Sequence, residues 1–248
     1  MEQKIDKEFE ELVERIKGDE NILAFWLDGS RGKGMITENS DYDCKMIVID
    51  SVLLEYKEKY NNKEKSVIEI SVMTLDELKN YAKLGSDTAW DRYNFAHLKV
   101  VFDRTAQIQK IIDNKVVLSK EEQSTIIKNS LGIFINQLYR LEKNKRDGNI
   151  TAARLDAIEA VPAFIEAIFA LEGKVRPYNK YLGWELENYP LEKFPWERGE
   201  LVEKLILATE ENNLHILYGL FLIIRPIFKS EGYSQEFDGW KGNYKVGE

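Results

Sequence analysis

"LDGSRGKGMITENSDYD", residues 27–43, lies between two apolar runs, and the reading of this stretch decides the fold. "NILAFWL" (21–27) before it is almost continuously apolar, the pattern of a buried strand. "YDCKMIVID" (42–50) after it predicts a second strand, with Cys44, Met46 and Val48 on one side by alternation. Asp41 and Asp43 stand two apart at its start, so their carboxylates point the same way. Like charges on one side repel unless a cation lies between them. Oxygen-only ligands favour Mg2+ over zinc, and Mg2+ is usually held by one or two carboxylates plus substrate phosphates. Gly29 permits a sharp turn after the first strand, while Gly32 and Gly34 let backbone approach a ligand closely. Ser30 adds a hydroxyl, and a helix beginning near residue 30 would add favourable partial charge for an anion. The spacing fits neither a Walker P-loop nor a dinucleotide fingerprint. The plain alternative is a solvated turn, where Asp is common.

Outward from this stretch, "SVIEISVMT" (66–74) predicts a third strand, with Ile68, Ile70 and Val72 on one face and Val67, Glu69 and Ser71 on the other. Strand interiors disfavour a carboxylate unless it is solvated or employed. If this strand neighbours 42–50, Glu69 faces the Asp pair, as metal ligand or as the base taking a hydroxyl proton; otherwise it is an exposed edge residue. Ile5, Phe9, Leu12, Val13 and Ile16 predict an opening amphipathic helix. Thr74 with Glu77 forms a capping box for a helix over 74–83, and "HLKVVFD" (97–103) predicts a fourth strand.

Strand signals vanish after about residue 118. Ser119 with Glu122 forms a second capping box, opening a helix through Lys143, followed by a turn at 146–149. A helix over 151–172 is expected to kink at Pro162 and end at Gly173. Residues 175–196 read as an irregular aromatic segment, 199–211 and 213–229 as helices, and the polar tail from 231 as loosely packed. The expected fold is α+β: an α/β domain with a mixed sheet over 1–115, then a helical bundle over 116–248.

Composition narrows the function classes. A chain of 248 residues with 44% hydrophobic and 31% charged content reads as globular. Its net charge of −8 disfavours nucleic acid as a partner and suits a small cationic one. A single cysteine, Cys44, excludes an internal disulfide and fits a cytoplasmic setting. No membrane association is expected, because the longest apolar run, 214–228, is short and contains His215 and Arg225. Cys44, His97 and His215 read as structural.

The order strand, Gly29-Ser30, Gly34, Ser40-Asp41-Tyr42-Asp43, strand resembles the signature of the nucleotidyltransferase superfamily that includes DNA polymerase β. The compact loop and following helical domain resemble the antibiotic nucleotidyltransferases, such as the kanamycin and streptomycin/spectinomycin adenylyltransferases. This resemblance implies ATP as co-substrate with Mg2+, transfer of AMP to a hydroxyl, and release of pyrophosphate. It implies that Asp41 and Asp43 bind the metal, that Glu69 matches the third acidic position, and that Gly29, Ser30, Gly34 and Ser40 form the nucleotide loop. Where many members have alanine, this chain has Gly32, which predicts a more flexible loop. Arg31 and Lys33 either steer phosphates or are surface charges.

In the helical half, Asp156, Glu159 and Glu166 share a face by spacing. They form either a solvated acidic stripe or a lining for an amine-bearing acceptor, with Glu159 an alternative base. Arg176 and Lys180 bracket Tyr178 and are either phosphate ligands or exposed charges; Lys180 resembles a lysine that related transferases place after their central bundle helices. Tyr178, Tyr181 and Trp184 suit packing better than a substrate platform, and Tyr178 is kept as an acceptor-side candidate. The expectation is an enzyme, monomer or homodimer, that adenylylates a small hydroxyl-bearing molecule such as an aminoglycoside antibiotic in a cleft between its domains. The alternatives are nucleotidylation of a protein side chain, as in minimal antitoxin-like transferases, and a nucleotide-binding module without turnover.

Overall fold

The computed structural model describes residues 2–61, 67–197 and 199–238. The chain forms two compact units, residues 1–117 and 118–248.

In the first unit, α1 (Glu2–Lys17) leads into β1 (Ile22–Leu27), the single turn α2 (Gly29–Gly32), and β2 (Tyr42–Val48). Then come α3 (Leu53–Asn61), β3 (Ile68–Thr74), α4 (Leu75–Asn80), a 3-10 segment at Ala89–Phe95, β4 (Val100–Asp103) and α5 (Ile108–Lys115). The sheet order is β3-β2-β1-β4; β2 pairs parallel with β3, and β1 pairs antiparallel with β2 and β4, so the sheet is mixed as expected.

Alternation gives this sheet two different faces. Cys44, Met46 and Val48 turn to one side, under Leu12, Val13 and Ile16 of α1 and Tyr56 of α3. Ala24, Trp26, Ile47 and Met73 turn to the other, under Leu78 of α4, Phe95, and Ile108 and Ile112 of α5. Both faces are covered, so β1 reads as an unbroken apolar run. Each fully buried Ile or Met stabilises by roughly 1.5–3 kcal/mol. The helices α3 and α5 were not expected from the sequence. Both are short, and Leu54 on α3 is 82% exposed, so α3 shows no clear apolar stripe, while α5 offers only two turns of one.

The second unit pairs α6 (Lys120–Arg146) with α7 (Ile150–Leu171), followed by α8 (Asn179–Asn188), α9 (Glu200–Leu207), α10 (His215–Ser230) and α11 (Ser234–Asp238). Its core joins Leu131, Phe134 and Leu138 of α6 to Ala160, Phe164 and Ile168 of α7, with Leu217 and Ile224 of α10. Both capping boxes form, at Thr74/Glu77 and Ser119/Glu122. The helix α7 runs on through Pro162 and ends at Gly173, whose φ is +74°. There Gly173 N–H donates to Ala170 O and Lys174 N–H to Phe169 O, both at 3.0 Å, a Schellman closure.

Two expectations are corrected. Part of the segment read as irregular, 179–188, is the helix α8, which buries Tyr181, Leu182 and Leu186 on one side. The tail read as loosely packed contains α11, where Phe237 packs on Phe221 and Phe228; residues 239–248 lie outside the described residues.

Candidate functional site

The site is built where β1 ends beside the start of β2. Leu27 pairs with Cys44, and Asp28 extends the ladder by donating its N–H to Asp43 O at 2.6 Å. The Asp28 carboxylate accepts the Gly29 N–H at 3.0 Å and so caps α2. Gly29 has φ +57°, and a Cβ there would stand 2.4 Å from Asp43 Oδ2. The left-handed φ favours glycine, and the loop backbone lies close enough to the Asp43 carboxylate that a Cβ would push it aside. Arg31 Nε donates to Ser40 O at 3.0 Å while its guanidinium lies 4.0 Å above the Tyr42 ring. Ser40 Oγ accepts the Thr37 N–H at 2.9 Å, closing the turn before β2.

The parallel register sets Asp43 beside Glu69, so both project from the same face of adjacent strands. Burial and then the carboxylates of Asp41, Asp28 and Glu69 push Asp43 above its ordinary value, with Lys45 opposing. Asp28 is 5% exposed, and burial raises its carboxyl too, against the Lys45 charge and the Gly29 N–H. Lys45 Nζ lies 3.3 Å from Asp28 Oδ2 and 5.4 Å from the centre of the Tyr81 ring, whose hydroxyl donates to Asp91 at 2.7 Å. Among the described residues, no group of three or more His, Cys, Asp or Glu side chains is gathered closely enough to hold a metal ion alone. The donor set of Asp41 and Asp43 is all oxygen, and Asp43 lies against Gly29, where a Cβ would push its carboxylate aside. That fits a hard divalent cation shared with phosphate oxygens.

Several expected roles change. Lys33 is neither a surface charge nor aimed at a ligand: it is 6% exposed, and its Nζ donates to the carbonyls of Tyr93, Asn94 and Ala96 at 3.3, 2.8 and 2.6 Å. Gly32 does not loosen the loop. A Cβ there would meet Leu27 O at 2.3 Å and Leu98 Cδ2 at 2.7 Å, so glycine permits tight packing. The helix expected near residue 30 is the four-residue α2, too short to supply a macrodipole. Ser30 is its second residue, and its carbonyl accepts the Met35 N–H at 2.8 Å. Gly34 takes φ +73° with open space around it. Arg31 and Ser40 hold the loop to itself.

In the second unit, Asp156 accepts from Asn144 Nδ2 at 2.7 Å and Glu159 from Gln137 Nε2 at 2.5 Å, so each ties α7 to α6. Burial raises the Glu166 carboxyl, with Arg176 opposing. Arg176 Nη2 donates to Asn179 Oδ1 at 2.9 Å, and Lys180 Nζ stands 5.3 Å from the Tyr181 ring centre. Tyr178 is the N-cap residue of α8, with its ring 6.3 Å from that of Tyr181.

Asp28 and Lys45 escaped the sequence reading. Both left a trace there: each puts a charge on the face that otherwise carries Ala24, Trp26 and Ile47. A buried charge in a strand needs a partner, and these two partner each other.

No protein-family model and no curated protein matches the chain. Among solved structures, the chain is similar to a nucleotidyltransferase-like protein from Exiguobacterium sibiricum 255-15, at 13% identity and a TM-score of 0.43, over 91% of this chain and 75% of that one. No described helix is long and apolar enough to cross a membrane.

Proposed function

We propose that the protein is a metal-dependent nucleotidyltransferase that moves AMP from ATP to a hydroxyl group of a small cationic molecule of the aminoglycoside type. The observation that carries this reading is the contact between the Gly29 backbone and the Asp43 carboxylate, with Asp41 and Glu69 beside it. A glycine-lined loop against an acidic cluster suits a triphosphate and the cation that accompanies it.

Asp41 and Asp43 would hold Mg2+, which supplies charge neutralisation at the phosphates. Ser30 is assigned to the phosphates, with Gly29 and Gly34 letting them approach the backbone. Glu69, exposed beside Asp43, takes the proton of the acceptor hydroxyl. The acceptor oxygen bonds to the α-phosphorus, the bond to the bridging β-phosphate oxygen breaks, and pyrophosphate departs with that electron pair. In the second unit, Asp156, Glu159 and Glu166 are assigned to acceptor ammonium groups, with Tyr178 as a further acceptor contact.

Mass spectrometry of an aminoglycoside panel incubated with protein, Mg2+ and the four nucleoside triphosphates tests the acceptor class. An acceptor gaining one AMP unit supports it. Pyrophosphate release without any aminoglycoside product rejects the acceptor class while leaving the transferase reading in place.

A further inference from the structure

The strand face that carries the acidic cluster also carries one buried ammonium. Asp43, Lys45 and Ile47 alternate along one side of β2, Asp41 directly precedes the strand, and Asp28 continues the Ala24–Trp26 side of β1 opposite. Lys45 is 9% exposed and bears on Asp43 as well as on Asp28. An ammonium in that position has two acidic neighbours to choose between, and the one it pairs with is lost to a cation. The structure pairs it with Asp28, at 3.3 Å. Asp28 is held for that role by its own backbone: its N–H is fixed on Asp43 O, and its carboxylate also accepts the Gly29 N–H. The Lys45 ammonium is steadied further by the Tyr81 ring, itself anchored to Asp91.

We propose that Asp28 is a positioning residue for the cation site: it holds the Lys45 ammonium away from Asp43, leaving Asp43 with Asp41 and Glu69 available to a divalent cation. The Asp28–Lys45 pair sets how many negative charges the site presents. With the pair intact, the Lys45 charge is offset by Asp28 and not by Asp43. Without Asp28, the Lys45 charge that already bears on Asp43 is no longer offset, and it competes with the cation electrostatically. This inference rests on the nucleotidyltransferase reading for the cation itself, but its test reads binding, not turnover.

The probe is Mn2+, followed by the loss of its free-ion paramagnetic resonance signal on titration with protein, with and without ATP. D28N keeps an oxygen for the Gly29 N–H and removes the charge. It is expected to weaken Mn2+ binding by about tenfold, the order of effect of one added charge a few ångströms away. The double variant D28N/K45M removes both charges and is expected to bind Mn2+ within about twofold of the wild type. A merely structural role for the pair predicts the opposite order, with the double variant no better than the single. D28S, which also retains an oxygen for the cap, replaces D28N if the asparagine variant does not melt cooperatively. Wild-type affinity in D28N, or no recovery in the double variant, overturns the proposal. A wild-type protein that binds no Mn2+ with ATP overturns both this inference and the reading on which it rests.

Discussion

Asp43 sits in a place that suits its chemistry better than it suits the fold. Partial burial and the surrounding carboxylates raise its folded value above the ordinary 3.8. For a raised carboxylate, the stabilising contribution is present below the unfolded value and is lost as pH rises through the folded one. At neutral pH the charged group therefore opposes folding. Asp43→Asn is expected to raise the melting temperature at pH 7 and to abolish metal-dependent nucleotide binding, with the stability gain shrinking as pH falls toward about 4. Thermal melts across pH check it, and an unchanged or lower melting temperature at pH 7 counts against the conflict of charges. Gly29→Ala tests the neighbouring contact. The left-handed backbone costs an alanine about 1–2 kcal/mol, and its Cβ would displace the Asp43 carboxylate, which stands 2.4 Å away. The expected result is a modest loss of stability with a large loss of nucleotide affinity.

At the scale of elements, the turn between β1 and β2 is tied down by side-chain hydrogen bonds. Arg31 fastens it to Ser40, and Lys33 reaches the three carbonyls of the 93–96 segment. Lys33→Met leaves those carbonyls without their donor and should cost on the order of 2 kcal/mol or more. Its signature is a raised KM for nucleotide together with faster proteolysis near residues 30–40; unchanged values would show that the cage does not hold the loop. Gly32→Ala should destabilise by roughly 1–3 kcal/mol through crowding against Leu27 and Leu98.

These elements also show what the sequence disclosed. The strands around 27–43 were legible because apolar alternation and glycine punctuation are local signals. The Asp43–Glu69 juxtaposition followed from one assumption, that the two strands neighbour each other, and the register meets it. Lys33 was misread because its partners, Tyr93 to Ala96, lie about sixty residues away, and Gly32 because its close contacts, Leu27 O and Leu98, exist only once the turn has folded back. The helix α8 was hidden by its flanks, where Pro177, Tyr189 and Pro190 mask the apolar spacing of Tyr181, Leu182 and Leu186.

At the scale of the whole molecule, each unit has its own core, and the acidic site belongs entirely to the first. The donor half of the proposed reaction is thus carried by residues 28–45 and 69. The acceptor half is assigned to a unit whose carboxylates also brace its helices, since Asp156 and Glu159 both take hydrogen bonds from α6. The central claim is cation-dependent transfer at Asp41 and Asp43. Its most direct measurement is pyrophosphate release from ATP in the presence of an acceptor mixture, with and without Mg2+, for the wild type and for Asp41→Asn. The account predicts release that requires Mg2+, is matched by an AMP mass gain on an acceptor, and falls by at least about a hundredfold in the variant. Release that persists without divalent cations, or that Asp41→Asn leaves intact, would contradict it.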